Sequence, residues 1–362
     1  MSEHISDVRR RLLRVAASTF AATRLGLVGS LASQLSCAAY RSSAGKLPSL
    51  DNATAWLNSP ALSSPGLLGK VVVVQFWTYT CINWLRTMPY IRAWGERYER
   101  HGLVTVGVHS PEFAFEADTD NVRRAAASLN VGYPIAVDSN HAIWRAFSNH
   151  YWPALYIADA QGRVRHHQFG ESGYEQSEVV LRQLLSEKGN PSIGSAVVSA
   201  NGHGVEAAAD WGNLKSPESY LGYSRANNFV PSSEYTIHER HSFTLPSRLK
   251  LNRWSLSGDW SVQREAVLLN APNGRIVYRF HARDVHLVMG PAVRDSAVRF
   301  RVRIDGQPPG SACGTDITSD GNGLLNEPRM YQLIRQTNII TERQFEIEFL
   351  DAAVEAYAFT FG

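Results

Sequence analysis

The stretch that most constrains this chain is Val71-Val-Val-Val-Gln-Phe-Trp-Thr-Tyr-Thr-Cys-Ile-Asn-Trp-Leu-Arg-Thr-Met-Pro89. A run that is apolar at nearly every position predicts a strand covered on both faces. Its end at Cys81, where a helix-period pattern begins, places a thiol at a helix N-terminus. There the sulfur meets unpaired backbone N–H groups and the positive end of the helix dipole, and both favour the thiolate. Pro89, eight residues past Cys81, falls inside the predicted helix Asn83–Arg100 and predicts a kink.

Around this stretch the pattern alternates between strand and helix periods. A lead-in from Pro48 to Pro65, with a short helix over Asn52–Leu57, precedes the strand Val71–Trp77. Leu103–His109, Tyr133–Val137, Ala154–Ala158 and Arg163–Phe169 read as further strands. Asp120–Asn130, His141–Phe147 and Glu175–Glu187 read as helices, and Asp159-Ala-Gln-Gly162 is a hairpin turn signal. Such alternation, closed by a hairpin and a last helix, predicts a central mixed sheet with helices on both faces. Trp152-Pro153 stands at the start of the hairpin, where a cis bond would expose a backbone edge for a substrate chain.

Strand, cysteine, kinked helix and the later proline together resemble the thioredoxin fold in its TlpA-like form, with an inserted helix–strand pair. Phe76-Trp-Thr-Tyr-Thr-Cys81, Gly107-Val-His-Ser-Pro-Glu-Phe-Ala-Phe-Glu116, Tyr151-Trp-Pro153 and His166-His-Gln-Phe-Gly-Glu171 are similar to the soluble part of DipZ-type redoxins. That resemblance implies a thioredoxin-like domain followed by a β-sandwich, a cis Pro153 facing the cysteine, and thiol–disulfide exchange with small or protein thiols. The departure lies in the motif itself. The expected Cys-x-x-Cys reads Cys81-Ile-Asn-Trp84, so the second thiol is absent.

Four readings of a single thiol follow. Cys81 is oxidised to a sulfenate or mixed disulfide and resolved by an external thiol. Thr78 stands three residues before Cys81, as in the peroxiredoxin Thr-x-x-Cys motif, and would hydrogen-bond the thiolate or a peroxide. The proline that opens that motif is Val74 here, so an AhpC/TSA-like antioxidant activity is only partly supported. Alternatively, Cys81 traps partners; or it is an inert small hydrophobe under a packed Trp84; or Cys313 resolves it from a distance. Trp84, Pro153 and Trp152 are the candidate substrate-facing residues. Arg86 and Arg92 are candidate thiolate-stabilising cations, or else solvated helix charges. Glu116 is a candidate proton relay, with a capping carboxylate as the plainer reading. His109 and Glu112 bracket Pro111 at the same end of the sheet, and His166-His167 point to opposite faces of a strand. No metal set or cofactor motif is read.

Gly189 to Gly204 is rich in turn formers and reads as a linker between a thioredoxin-like domain over 47–188 and an all-β domain over 205–362. Ser242–Leu251, Trp260–Leu269, Ile276–Ala282, Asp284–Met289, Val298–Ile304, Tyr331–Arg335, Gln344–Leu350 and Ala356–Phe361 read as strands of a jelly-roll sandwich. Trp211, Trp254 and Trp260 are candidate glycan platforms or core residues. The rival to thiol chemistry is therefore a non-enzymatic scaffold that presents this sandwich to a partner or glycan.

The chain has 362 residues, 19% charged, with a net charge of +3, which gives no argument for nucleic acid. Three cysteines (Cys37, Cys81, Cys313) exclude a disulfide framework. Arg9-Arg-Arg-Leu-Leu-Arg14, a modest apolar run and small residues over 1–36 resemble a twin-arginine export signal and predict a periplasmic location. After them no stretch is long enough for a membrane span.

Overall fold

The structure is a computed structural model that describes residues 45–189, 193–194 and 196–362. The expected export signal and Cys37 lie outside the described residues.

The first half contains β1 (Ala55–Leu57), α1 (Ser64–Leu67), β2 (Val71–Trp77), α2 (Ile82–Leu85), α3 (Met88–Tyr98) and β3 (Leu103–His109). It continues through α4 (Thr119–Ser128), β4 (Ile135–Val137), α5 (Ala142–Ala146), β5 (Ala154–Ala158), β6 (Val164–Phe169) and α6 (Tyr174–Glu187). Its six-stranded sheet has the order β1-β4-β3-β2-β5-β6. β2, β3 and β4 are parallel, while β5 and β6 form the antiparallel hairpin, which is the thioredoxin fold.

Every residue of β2 is buried, because the sheet is covered on both faces. Val71 and Val73 pack with Ile91 and Trp94 of α3 and Leu181 and Leu184 of α6. Val72, Val74 and Phe76 face the other way, onto Ile143 and Phe147. The period of two thus divides one apolar run between two cores.

Two expectations are corrected and one is met. Asn52–Leu57 is not a helix; residues 55–57 pair antiparallel with β4 as an edge strand. The helix after Cys81 is two helices, α2 and α3, separated at Arg86–Thr87. Pro89, which has no N–H to bond backwards, is the second residue of α3, so the helix is interrupted just ahead of it. The Trp152–Pro153 bond is cis.

The second half comprises β7 (Ser219–Tyr220), β8 (Arg240–Phe243), β9 (Trp254–Val262), β10 (Val267–Leu269), β11 (Gly274–Phe280) and β12 (Asp284–Pro291). β13 (Val298–Ile304), β14 (Asn322–Leu325), β15 (Arg329–Arg335), β16 (Arg343–Phe349) and β17 (Val354–Phe361) complete it. All pair antiparallel, in the order β14-β13-β16-β11-β9-β10-β17-β12-β15. β9 belongs to both layers of the sandwich: residues 254–257 pair with β11, and 258–262 pair with β8 and β10. It turns the corner at Gly258 (φ +99°), where a Cβ would stand 2.9 Å from the Gly274 Cα. The expected strand Trp260–Leu269 is therefore a hairpin, and Ser242–Leu251 is strand only at its start. Trp254 and Trp260 are fully buried in the sandwich core, which removes them as glycan platforms, whereas Trp211 is 63% exposed.

β12 and β17 differ from the alternating strands. Seven of the eight residues of each are buried. The face of this layer turned away from the sandwich core is covered too, and what covers it is the region around Cys81.

Candidate functional site

Cys81 caps α2 with extended backbone, and its carbonyl accepts from the Leu85 N–H at 3.1 Å. The backbone N–H groups of Asn83 and Trp84 act on the sulfur and lower its pKa, as a helix start should. They do not win. Burial pushes the Cys81 thiol well above its ordinary value, and the carboxylates of Glu112 and Glu218 push the same way. The expectation of a thiolate activated by its helix is corrected: two N–H dipoles from a four-residue helix are outweighed by desolvation and two nearby negative charges.

The residues expected around the sulfur are placed as follows. Thr78 is fully buried, and its hydroxyl, on the Glu116 side, lowers that carboxyl's pKa while making no hydrogen bond to sulfur. Trp84 is fully buried, stacked on Trp77 at 4.3 Å, and donates its indole N–H to Gln75 Oε1 at 3.2 Å. It packs beneath the motif and does not face a substrate. Gln75 in turn donates to Thr87 Oγ1 at 2.7 Å, so the polar groups brought under the helix break are mutually satisfied.

Pro153 is buried next to Ala154, which lies opposite Phe76 in the β2–β5 register. This sets the cis bond across from the start of the loop that carries Cys81. Trp152 tilts against Trp144 at 4.3 Å and donates to the Ser110 carbonyl at 3.0 Å.

Glu116 is fully buried. Its carboxylate accepts from Thr80 N–H and Oγ1 at 3.3 and 2.7 Å, and from the N–H groups of Glu112 and Phe113 at 2.7 and 2.9 Å. It thereby ties the residue before Cys81 to the turn after β3. Burial raises its pKa to about 7 against the pull of those donors. His109, also fully buried, meets Trp77 edge-on at 4.8 Å and stacks on Tyr79 at 5.6 Å. Burial lowers its pKa to about 3, so it is a neutral packing residue at neutral pH.

The two arginines do not serve the thiol. Arg86 Nη1 pairs with Glu171 at 2.8 Å, and Nη2 donates to the Phe361 carbonyl at 3.1 Å. Arg92 pairs with Glu206. Both reach from the first half of the chain to the second. His166 bonds Ser177 Oγ at 3.0 Å, and among the described residues no group of three His, Cys, Asp or Glu side chains could hold a metal ion.

Sequence reasoning missed the contribution of the second half. Ala266, Val288, Met330, Tyr357 and Ala358 pack in one cluster with Trp77, Tyr79, Ile82, Trp84 and Phe113, and Cys81 lies against it. Around this patch Glu112 accepts from Tyr220 Oη at 2.6 Å and pairs with Arg225 at 2.7 Å. Arg225 lies 3.8 Å over the Tyr220 ring, and Glu265 accepts from Ala114 N–H at 3.0 Å. The one signal in the sequence was the loss of alternation in Val285-His-Leu-Val-Met289 and Ala356-Tyr-Ala-Phe-Thr-Phe361.

A family model described as AhpC/TSA matches residues 49–167, and one described as a thioredoxin-like C-terminal domain matches 216–362. The thiol-disulfide oxidoreductase YkuV of Bacillus subtilis is 33% identical over 141 residues, covering 39% of this chain and 95% of YkuV. Protein DipZ of Mycobacterium tuberculosis is 36% identical over 291 residues. The chain belongs to the thioredoxin-like redoxins of TlpA/DipZ type. The DipZ match covers 78% of this redoxin but only 40% of DipZ, so the chain spans less than half of that relative. A thioredoxin-like protein solved in solution in its oxidized form is 33% identical, covering 40% of this chain and 97% of its own, with a TM-score of 0.37. Among the described residues no helix is long and apolar enough to cross a membrane.

Proposed function

We propose that this redoxin performs thiol–disulfide exchange through Cys81 alone. The Cys81 thiolate attacks one sulfur of a partner disulfide; a mixed disulfide forms and the partner's other sulfur leaves as thiolate. A second, external thiol then attacks the mixed disulfide, releases the partner as a new disulfide and restores Cys81. The observation that carries this reading is the half-buried Cys81 at the start of α2; the other described cysteine, Cys313, lies in the sandwich, where its backbone pairs with Ile334. The raised thiol pKa supports a slow, selective nucleophile. Val74, standing where the peroxiredoxin motif opens with proline, supports exchange over peroxide reduction. Family membership favours thiol chemistry over a scaffold role. The twin-arginine-like segment Arg9–Arg14 supports an extracytoplasmic site of action.

The test is intact mass after incubation with a small aromatic disulfide, in three proteins that all carry Cys37→Ser: that variant alone, with Cys81→Ser, and with Cys313→Ser. One adduct is expected in the first and third, cleared by added thiol and absent with Cys81→Ser. An adduct that persists in Cys81→Ser would overturn the reading.

A further inference from the structure

A cavity of 340 Å³ lies where both halves of the chain and the segment between them meet. Cys81 does not line it, so its occupant is independent of the exchange chemistry. Tyr79 and Leu85, on either side of the cysteine motif, form one part of it, and α4 presents Arg124. The sandwich closes it with residues that include Glu327, Arg329 and Met330. Its volume falls at the lower end of the range of about 300–1,000 Å³ usual for small-molecule sites.

Two donors at one end of this cavity lack an acceptor. Tyr79 is only 4% exposed, and its buried hydroxyl has no hydrogen-bond partner. Burial raises its pKa, and Glu116, Asp118 and Glu327 push the same way, so the hydroxyl stays protonated and is left with a proton to donate. Of the charged groups that line the cavity, Arg124 acts on that hydroxyl more strongly than Glu327 does, which sets guanidinium and phenol at the same end. Arg124 donates to Asn121 Oδ1 on its own helix and makes no ion pair among the described residues.

The carboxylates nearby are all engaged. Asp316 and Glu327 both pair with Arg329, at 2.8 and 3.3 Å, and Asp118 pairs with Arg294 at 3.5 Å. Glu116 is held by the donors already described. A cation and a neutral donor are thus left unmatched while the anions are matched. The complement of that arrangement is a carboxylate, which brings lone pairs and no proton. Much of the remaining lining, Leu85, Leu129, Val205 and Met330, is apolar.

We propose that this cavity binds a small carboxylic acid with an apolar body. The carboxylate accepts from the Tyr79 hydroxyl and the Arg124 guanidinium, and the body packs between Leu85 and Leu129 on one side and Val205 and Met330 on the other. Because the walls come from both halves of the chain, the ligand stabilises their docked arrangement.

The experiment titrates the full chain at neutral pH with three probes of one body, phenylacetate, phenylacetamide and phenethylamine, followed by ligand-detected NMR. Phenylacetate is expected to bind, and the amide and the amine at least about tenfold more weakly. Arg124→Gln, at an exposed position, lowers the affinity for phenylacetate about tenfold. Tyr79→Phe lowers it several-fold. Since the hydroxyl has no partner in the free chain, the same variant without ligand melts at or above the wild-type temperature, whereas a hydroxyl that served only the fold would lower it. Absence of phenylacetate binding at about 10 mM, equal binding of the three probes, or binding that both variants leave unchanged overturns the proposal. None of these outcomes bears on exchange at Cys81.

Discussion

Arg86 offers the sharpest perturbation of the seam. Its guanidinium makes two charge-assisted bonds in a nearly dry setting, to Glu171 at 2.8 Å and to the Phe361 carbonyl at 3.1 Å. Arg86→Met keeps the apolar stem and removes both donors. It leaves a buried carboxylate without its cation and a carbonyl without a partner. Breaking a buried pair from one side costs about 3–5 kcal/mol. In a chain of this size that lowers the melting temperature by roughly 6–12 °C. The loss depends on pH in a set direction. Burial already raises the Glu171 pKa against the pull of Arg86, and without Arg86 it rises further. A carboxyl whose folded pKa exceeds its unfolded one is destabilising when ionised, and is relieved as pH falls through the folded value. The gap between variant and wild type therefore narrows from about pH 8 to about pH 5. Adding Glu171→Gln to Arg86→Met removes the stranded charge and recovers more than half of the loss. Calorimetry of the four proteins of this cycle at both pH values is the assay. A single variant within about 1 kcal/mol of wild type, or a double variant no better than the single, would refute a buried pair.

Three further outcomes follow from the same geometry. Alkylation of Cys81 by a neutral reagent is expected to climb close to tenfold per pH unit through about pH 9, and Glu218→Gln to raise the rate several-fold at about pH 7.5; a plateau below pH 8 in wild type would count against the raised thiol. Glu116, with its folded pKa near 7, costs stability as pH rises from its unfolded value, about 3 kcal/mol across that window, so urea titrations of Glu116→Gln should show a flatter slope there than wild type, although the variant is weaker overall. His109 works in the opposite sense. Held near 3, it loses stability as pH falls below its unfolded value, about 2 kcal/mol by pH 5, and His109→Phe should remove that loss while keeping the ring contacts.

The first half of the fold was legible because its signals are local. Val71–Val74 could be covered on both faces only in a layered α/β domain, and Cys81 had to fall where the strand period gives way to the helix period. The cis bond at Pro153 was legible from the resemblance, through its register with the cysteine. What escaped is what depends on contacts far along the chain. Arg86 reads as a helix-surface cation until Glu171 and Phe361 are brought to it, and Trp84 reads as substrate-facing until Trp77 and Gln75 enclose it. The thiol pKa was misjudged for the same reason: helix dipoles can be read from sequence, whereas burial against a cluster drawn from both halves of the chain and the charge of Glu218 cannot. In the sandwich, period-two reasoning found most strands but placed Trp260–Leu269 as one element, because nothing in Gln263-Arg-Glu-Ala266 announces a hairpin as plainly as Asn-Gly would.

The packing of β17 on the residues that flank Cys81 also has a consequence in time. Arg86 and the Phe361 carbonyl it binds are 275 residues apart, and the strand that brings Tyr357 and Ala358 over the motif is made at the end of that interval. At ordinary elongation rates a ribosome needs roughly 15–55 s to add those residues. For that period the nascent chain carries the motif without the part of its packing cluster that the second half supplies, and the thiol is less desolvated than it will be in the finished molecule. The protein's own synthesis is thus the interval in which Cys81 is most open to adventitious disulfides.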